Sequence, residues 1–218
     1  MRKNDEQLKR EVELELHWEP RVNATQIGVT VDGGAVSLYG TVDTYAQKWA
    51  AEKATRRVHD VRAFAEELIV KPLTPHERTD SEVTAAIQSM FDWNASVPAS
   101  IVAKVEQGWV SLEGAVTHHY QREEAARVVG HLRGVLGVSN GIRLVPEGPD
   151  APSADNVRAS LRRRMGKAAA AIEVEMDGGR VMLRGQAPSL RAIRDARSAA
   201  WAAAGVSDVL EQIQLPTR

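Results

Sequence analysis

The side chains best suited to metal or acid–base chemistry in this sequence are six histidines and a few pairs of adjacent carboxylates. Only His118 and His119 are adjacent. Neighbours on a helix point about 100° apart, an arrangement that suits a shared metal ion poorly. We therefore expect a solvated helix start at this pair, and we predict neither a metal site nor a cofactor.

The remaining candidates for catalysis have simpler explanations. The carboxylate pairs Glu66–Glu67 and Glu123–Glu124 have no nucleophile or histidine arrangement beside them, so they are interpreted as surface charge. The chain has no cysteine, which excludes thiolate nucleophiles, thiolate zinc sites and disulfides. The pairs Gly33–Gly34 and Gly178–Gly179 link two strands, whereas a phosphate-binding loop joins a strand to a helix. The sequence therefore predicts a protein that is not an enzyme.

Arginine is concentrated in the last third of the chain. Residues 1–72 carry 11 basic and 12 acidic side chains, residues 73–150 carry 6 and 10, and residues 151–218 carry 11 and 7. The net charges are therefore −1, −4 and +4, although the whole chain carries only −1. Clustered guanidinium groups can bind phosphate, but an ordinary charged helix face explains them equally well. The candidate surface for an anionic lipid or a partner comprises Arg158, Arg162, Arg163, Arg191, Arg194, Arg197 and Trp201.

Several aromatic residues fall on faces that point away from a predicted core. Tyr45, Trp49 and Trp201 lie on the outer side of predicted helices, where they need a neighbouring repeat, another subunit or a lipid surface as a partner. Packing between repeats or subunits is the favoured explanation. Trp109 is expected on an open sheet face, as another docking candidate. Trp18 and Trp93, at equivalent helix ends, are interpreted as structural.

The elements that position these residues occur three times. Val36–Val42, Val110–Val116 and Val181–Ala187 align on a central glycine, and another matched segment begins 20 positions after each glycine. Apolar residues also recur 13 and 9 positions before each glycine. The chain is therefore a triplicated module.

The hydrophobic period changes in a fixed order within each repeat. Apolar residues four apart, such as Leu8, Val12 and Leu16, predict a helix; alternation around a glycine turn then predicts a hairpin. A second helix follows, and then a third strand. We predict an α+β fold of three tandem α-β-β-α-β modules, each with a three-stranded mixed sheet and two helices on one face. The third strands are expected at 63–70, 138–145 and 209–215.

Proline and glycine mark the boundaries at residues 71–75 and 146–152. The predicted modules are residues 1–72, 76–146 and 153–218, the third divergent and basic. No stretch has the length of a signal peptide core or a spanning helix, so a cytoplasmic location is expected, peripheral at the inner membrane.

The module resembles the BON domain of bacterial osmotic-stress and cell-envelope proteins. The likeness is carried by Asp5–Leu8, Trp18–Val22, the hairpin Val31–Val42 and the segment Val58–Ala63. The resemblance implies a non-enzymatic binding module associated with phospholipid surfaces and envelope integrity under stress. It also implies a potassium-sensing alternative, since one such relative senses that ion.

Four functions follow as hypotheses. The leading one is a stress-related protein whose basic third module binds anionic phospholipid surfaces. The first alternative is a scaffold that self-associates or binds protein partners, and the second is a small-cation sensor that uses backbone carbonyl groups. Nucleic-acid binding is the least favoured.

Overall fold

A computed structural model of the chain describes residues 3–72, 78–145 and 153–216. Residues 1–116 and 120–143 form one compact unit, and residues 117–119 and 144–218 form a second. The first unit contains module 1 and most of module 2, and the second contains module 3 together with residues 117–119 and the end of module 2. The predicted linkers at 71–75 and 146–152 lie largely or wholly outside the described residues.

The predicted order of elements is present in all three modules. Module 1 consists of α1 (Asp5–His17), β1 (Ile27–Asp32), β2 (Ala35–Val42), α2 (Tyr45–Thr55) and β3 (Ala63–Val70). Module 2 consists of α3 (Asp80–Trp93), β4 (Val102–Glu106), β5 (Trp109–Glu113), β6 (Ala115–Val116), α4 (His119–Gly130), β7 (Gly137–Asn140) and β8 (Arg143–Leu144). Module 3 consists of α5 (Ala154–Met165), β9 (Ile172–Asp177), β10 (Arg180–Gln186), α6 (Leu190–Trp201) and β11 (Asp208–Gln214).

Each sheet joins an antiparallel hairpin to a parallel third strand. In module 1 the hairpin pairs Val31 with Val36, and β2 pairs in parallel with β3. Modules 2 and 3 repeat this pattern with β4-β5-β7 and β9-β10-β11. The parallel pair requires a crossover, and the second helix of each module supplies it. The α+β prediction of three mixed three-stranded sheets is confirmed.

A stripe of apolar side chains buries one side of each helix against its sheet. Residues four apart, such as Leu8, Val12 and Leu16 in α1, are at most 2% exposed, which confirms the helical period of the sequence. Asn4 and Thr79 form capping boxes with Gln7 and Glu82, which satisfy free amides at the start of α1 and α3.

The central glycine of each repeat is required by the backbone. Gly40, Gly114 and Gly185 have φ values of 121°, 130° and 130°, a region that side chains disfavour. A Cβ atom at any of them would lie 2.0–2.3 Å from a carbonyl oxygen just before the first strand. No other residue fits there without moving the hairpin.

Module 2 departs from the prediction in its third strand. Instead of one strand over 138–145, β7 and β8 are separated at Gly141 and Ile142. The amide of Gly141 donates to the carbonyl of Leu112, and that of Ile142 donates to the side chain of Asn140. The backbone pairing continues past this point, because the amide of Arg143 donates to the carbonyl of Gly114 at 3.0 Å, whereas the amide of Ile142 faces the free edge of the sheet.

An aspartate at the start of the first helix holds the hairpin turn in modules 1 and 2. The amides of Gly33 and Gly34 donate to the Asp5 carboxylate at 2.9 and 3.1 Å. The amides of Gln107 and Gly108 donate to Asp80 at 2.7 and 2.8 Å. Module 3 has Ala154 in this place.

No helix among the described residues is long and apolar enough to span a membrane.

Candidate functional site

The C-terminal turn of α5 presents a group of exposed cations. Arg162, Arg163 and Arg164 lie in this turn, and Lys167 follows it. All four are exposed, and within the described residues none of them forms an ion pair. Positive charge at a helix C-terminus is also favoured by the helix dipole, which permits the cluster without requiring it. We call these four residues the α5 cationic cluster.

The other candidate arginines of module 3 are in different situations. Arg158 pairs with Asp155 and donates to the carbonyl of Val174, and Arg191 lies 3.8 Å from Asp195. Arg194 is half-buried, and Arg197 is exposed. The candidate surface of the sequence is therefore not one uniform patch, and its most accessible part is the α5 cationic cluster.

Charge in module 3 is divided between its layers. Helices α5 and α6 carry seven arginines and two aspartates, a net charge of +5. Strands β9, β10 and β11 carry two arginines and five carboxylates, a net charge of −3. On the open sheet face, Arg180 pairs with Asp208 and Arg184 with Glu175. The helix layer is thus the cationic side of the module.

Tyr45 and Trp49 form a joint between modules 1 and 2. The rings of Trp49 and His131 meet edge to face, with centroids 6.4 Å apart. The ring of Tyr45 lies against Gly130, where a Cβ atom would be only 3.3 Å away, and its hydroxyl lies near the backbone of Val138. Burial, and then the Glu52 carboxylate, raise the pKa of Tyr45 above its usual value. Both aromatic side chains therefore pack against the neighbouring module.

Trp201 also packs against another aromatic side chain, within the second unit. Its indole stacks on the imidazole of His119, with centroids 4.2 Å apart and planes 3° from parallel. Both side chains are half-buried. The expectation of a solvated histidine pair is therefore wrong for His119, because its ring is covered by the indole.

Trp109 lies on the open sheet face of module 2, as expected, but flat along the sheet. It pairs with Gly137 across β5 and β7, and its indole covers the space that a side chain at Gly137 would fill. Its Nε1 donates to the Ser139 hydroxyl at 3.0 Å. Its first role is to cover a glycine of the sheet, and 52% of it remains exposed.

The expectation that Trp18 and Trp93 are structural is wrong. They are 76% and 88% exposed, among the most exposed large apolar side chains described. Each tryptophan comes two positions after an inward-facing residue, Leu16 or Phe91. Two positions correspond to a rotation of about 200° around the helix, so both tryptophans lie on the outer side. The helical spacing of the apolar residues in the sequence already indicates this outward position.

A buried carboxylate fastens the end of α1 to the end of α2. Glu19 accepts hydrogen bonds from Arg21 at 2.9 Å and from Arg57 at 3.0 Å, and Arg57 also donates to Glu15. These bonds, led by that from Arg21, outweigh burial and lower the pKa of Glu19 to about 2. The network ties elements together and shows no group poised for proton transfer.

No cluster of three or more histidine or acidic side chains that could hold a metal ion occurs within the described ranges. Together, the fold and these surfaces define a tandem-repeat α+β protein. Its distinctive features are a cationic helix layer and exposed aromatics.

Comparison with known families identifies the repeat. The BON domain model matches residues 4–72, 79–146 and 149–217, nearly the whole chain. The protein therefore belongs to the BON domain family, with three tandem copies of the domain, and the resemblance inferred from the sequence is confirmed.

Individual known proteins add little. No curated protein matches this sequence. Among solved structures, it is similar to CdsD, a structural protein of the type III secretion system of Chlamydia trachomatis, with 16% identity, 96% of this chain and 92% of that chain covered, and a TM-score of 0.25. It is also similar to the periplasmic domain of PrgH, an inner membrane protein of that type of system in S. typhimurium, with 13% identity, coverage of 89% and 96%, and a TM-score of 0.24. Likenesses this distant carry no argument about function.

Proposed function

We propose that this BON-domain protein is a non-enzymatic binding protein whose third module attaches to anionic phospholipid surfaces. The observation that carries the proposal is the α5 cationic cluster, four exposed cations without ion pairs among the described residues, on a helix layer of net charge +5. Each Lys or Arg near an anionic membrane contributes about 1 kcal/mol to binding. A stress-related role at the cytoplasmic face of the inner membrane is part of the proposal.

Sedimentation with vesicles tests it. The protein is expected to pellet with vesicles containing anionic phospholipid but not with neutral vesicles, and to be released as salt rises. Replacing Arg162→Glu and Arg163→Glu together is expected to weaken binding at least about 30-fold, because two favourable contributions of about 1 kcal/mol each are lost.

The matched control carries the same charge change in module 1. Arg10 is exposed and only loosely paired with Glu6 at 3.7 Å, and Lys53 is exposed on α2. Arg10→Glu with Lys53→Glu is expected to leave vesicle binding nearly unchanged. Equal losses in both double variants would reduce the effect to net charge and would overturn the assignment to α5.

A protein-binding scaffold is a second candidate, favoured by the exposure of Trp18 and Trp93. Equivalent residues in two modules present the same side chain to the solvent. Cation sensing through backbone carbonyls stays a prediction.

A further inference from the structure

On the outer edge of the third strand in module 1, side chains cover the amide and the carbonyl of Leu68. The amide of Leu68 donates to the Glu66 carboxylate at 2.5 Å, and its carbonyl accepts from Lys48 Nζ at 2.8 Å. The amide and carbonyl of one strand residue point to the same side, so Leu68 faces away from β2 toward the free edge of the sheet. Lys48 also pairs with Glu66 at 3.1 Å, which holds both covering side chains in place.

Module 2 covers the same edge with equivalent positions. Arg122 stands eight residues after the central glycine, as Lys48 does, and donates to the carbonyl of Asn140 at 3.3 Å. Asn140 in turn donates to the carbonyl of Arg122 at 2.9 Å and accepts the amide of Ile142 at 3.2 Å. A basic residue on the second helix and a polar side chain on the third strand thus recur as a pair. We call this pair the edge guard.

Module 3 keeps only the polar half of the edge guard: Glu211 stands at the position of Glu66 and Asn140 on the third strand, but the basic residue on the second helix is absent. The position eight residues after its central glycine is Ile193, an apolar residue that is 8% exposed. Alignment with Leu68 places Val209, Glu211 and Ile213 of β11 with their main-chain groups toward the free edge. Within the described residues, no side chain hydrogen-bonds to these groups.

An uncovered strand edge is a template for another strand. Its free amides and carbonyls can pair with any extended segment, which is why proteins usually protect such edges with lysine or other polar side chains. The edge of β11 is seven residues long and contains no proline or lysine. Two identical edges satisfy each other through a two-fold axis, which closes the assembly at a dimer.

We propose that β11 is a dimerisation edge, at which a second copy of this chain adds its own β11 in antiparallel orientation. Two three-stranded sheets would then form one sheet of six strands. A register with Gln212 opposite Gln212 places Glu211 opposite Ile213 and Val209 opposite Leu215. This register keeps the two Glu211 carboxylates apart, since like charges directly opposite destabilise a sheet. The dimer does not depend on lipid binding.

Sedimentation equilibrium of the full chain without lipid tests the dimer. With rising concentration, the mass is expected to move from 23.8 kDa toward twice that value. Ile193→Lys restores the edge guard and is expected to weaken the dimer at least about tenfold, because covered main-chain groups cannot pair with the second copy. Glu211→Pro removes one outward amide without touching the core and is expected to weaken the dimer as well.

Two further measurements separate edge pairing from a change in folding. The reciprocal variant Lys48→Ile removes the guard of module 1 and is expected to add association through β3. In the wild-type chain, exchange of the Val209, Glu211 and Ile213 amides is expected to slow as protein concentration rises. A chain that stays monomeric throughout, or a dimer equally stable in Ile193→Lys and Glu211→Pro, overturns the proposal.

Discussion

At the scale of single residues, the buried and paired Glu19 carboxylate contributes to the free energy of unfolding. Its side chain is 7% exposed, and its two arginine partners keep it charged. A carboxylate whose pKa is lower in the folded chain than in the unfolded chain stabilises the fold only while it is ionised. That contribution is complete above about pH 4.5 and is lost as the pH falls toward about 2.

The pH dependence of Glu19→Gln checks this. A shift of the pKa from 4.5 to about 2 corresponds to about 3 kcal/mol of unfolding free energy near neutral pH. The wild-type chain is therefore expected to be more stable than Glu19→Gln by an amount of this order at pH 6, measured by urea unfolding. The difference should shrink toward zero as the pH approaches 2. A difference that does not change with pH would show that packing, not ionisation, is responsible.

At the scale of elements, the hairpin of modules 1 and 2 is fastened to its helix by one carboxylate. In both modules the two central residues of the turn have positive φ, and both amides donate to the aspartate. In module 3, where Ala154 replaces the aspartate, only Gly178 of the glycine pair has a positive φ. The aspartate therefore accompanies one particular turn conformation.

Asp80→Ala is expected to lower the free energy of unfolding of module 2 by about 1–3 kcal/mol, since two amides lose a charged acceptor. Urea unfolding and exchange of the Gln107 and Gly108 amides would measure the loss. The control is Asp155→Ala, which removes an acidic residue from the first turn of α5 without touching a hairpin. Its cost is expected to stay below about 1 kcal/mol, from the helix dipole and an exposed ion pair. Equal costs would mean that the turn is not held by Asp80.

At the scale of the whole molecule, module 1 and most of module 2 form one compact unit, and aromatic side chains lie at the joint between the two modules. Trp49→Ala is expected to remove about 1–3 kcal/mol of coupling between the modules, since it deletes the edge-to-face contact with His131 and leaves a space at the joint. Urea unfolding followed by hydrogen exchange in each module should then show them opening separately. Trp93→Ala is the matched control, because its indole is 88% exposed and contacts little. Loss of coupling in that control would contradict the assignment.

The sequence by itself determined the triplication, the order of elements and the core. These follow from local physics: helical and strand periods mark buried faces, and the three central glycines mark a backbone approach that no side chain permits. The outward position of Trp18 and Trp93 was also contained in that period, although it was interpreted differently.

Only the tertiary structure decided what the outward residues meet. Tyr45, Trp49 and Trp201 share one sequence signature, an aromatic on an outer helix face, but contacts between distant residues determine the partner of each. Lys48, Arg122 and Ile193 likewise share one position in the repeat. The role of that position depends on the edge of the third strand, which only the tertiary structure places beside the helix. Period and spacing record which face a side chain occupies, whereas the partner on that face depends on residues far away in the chain.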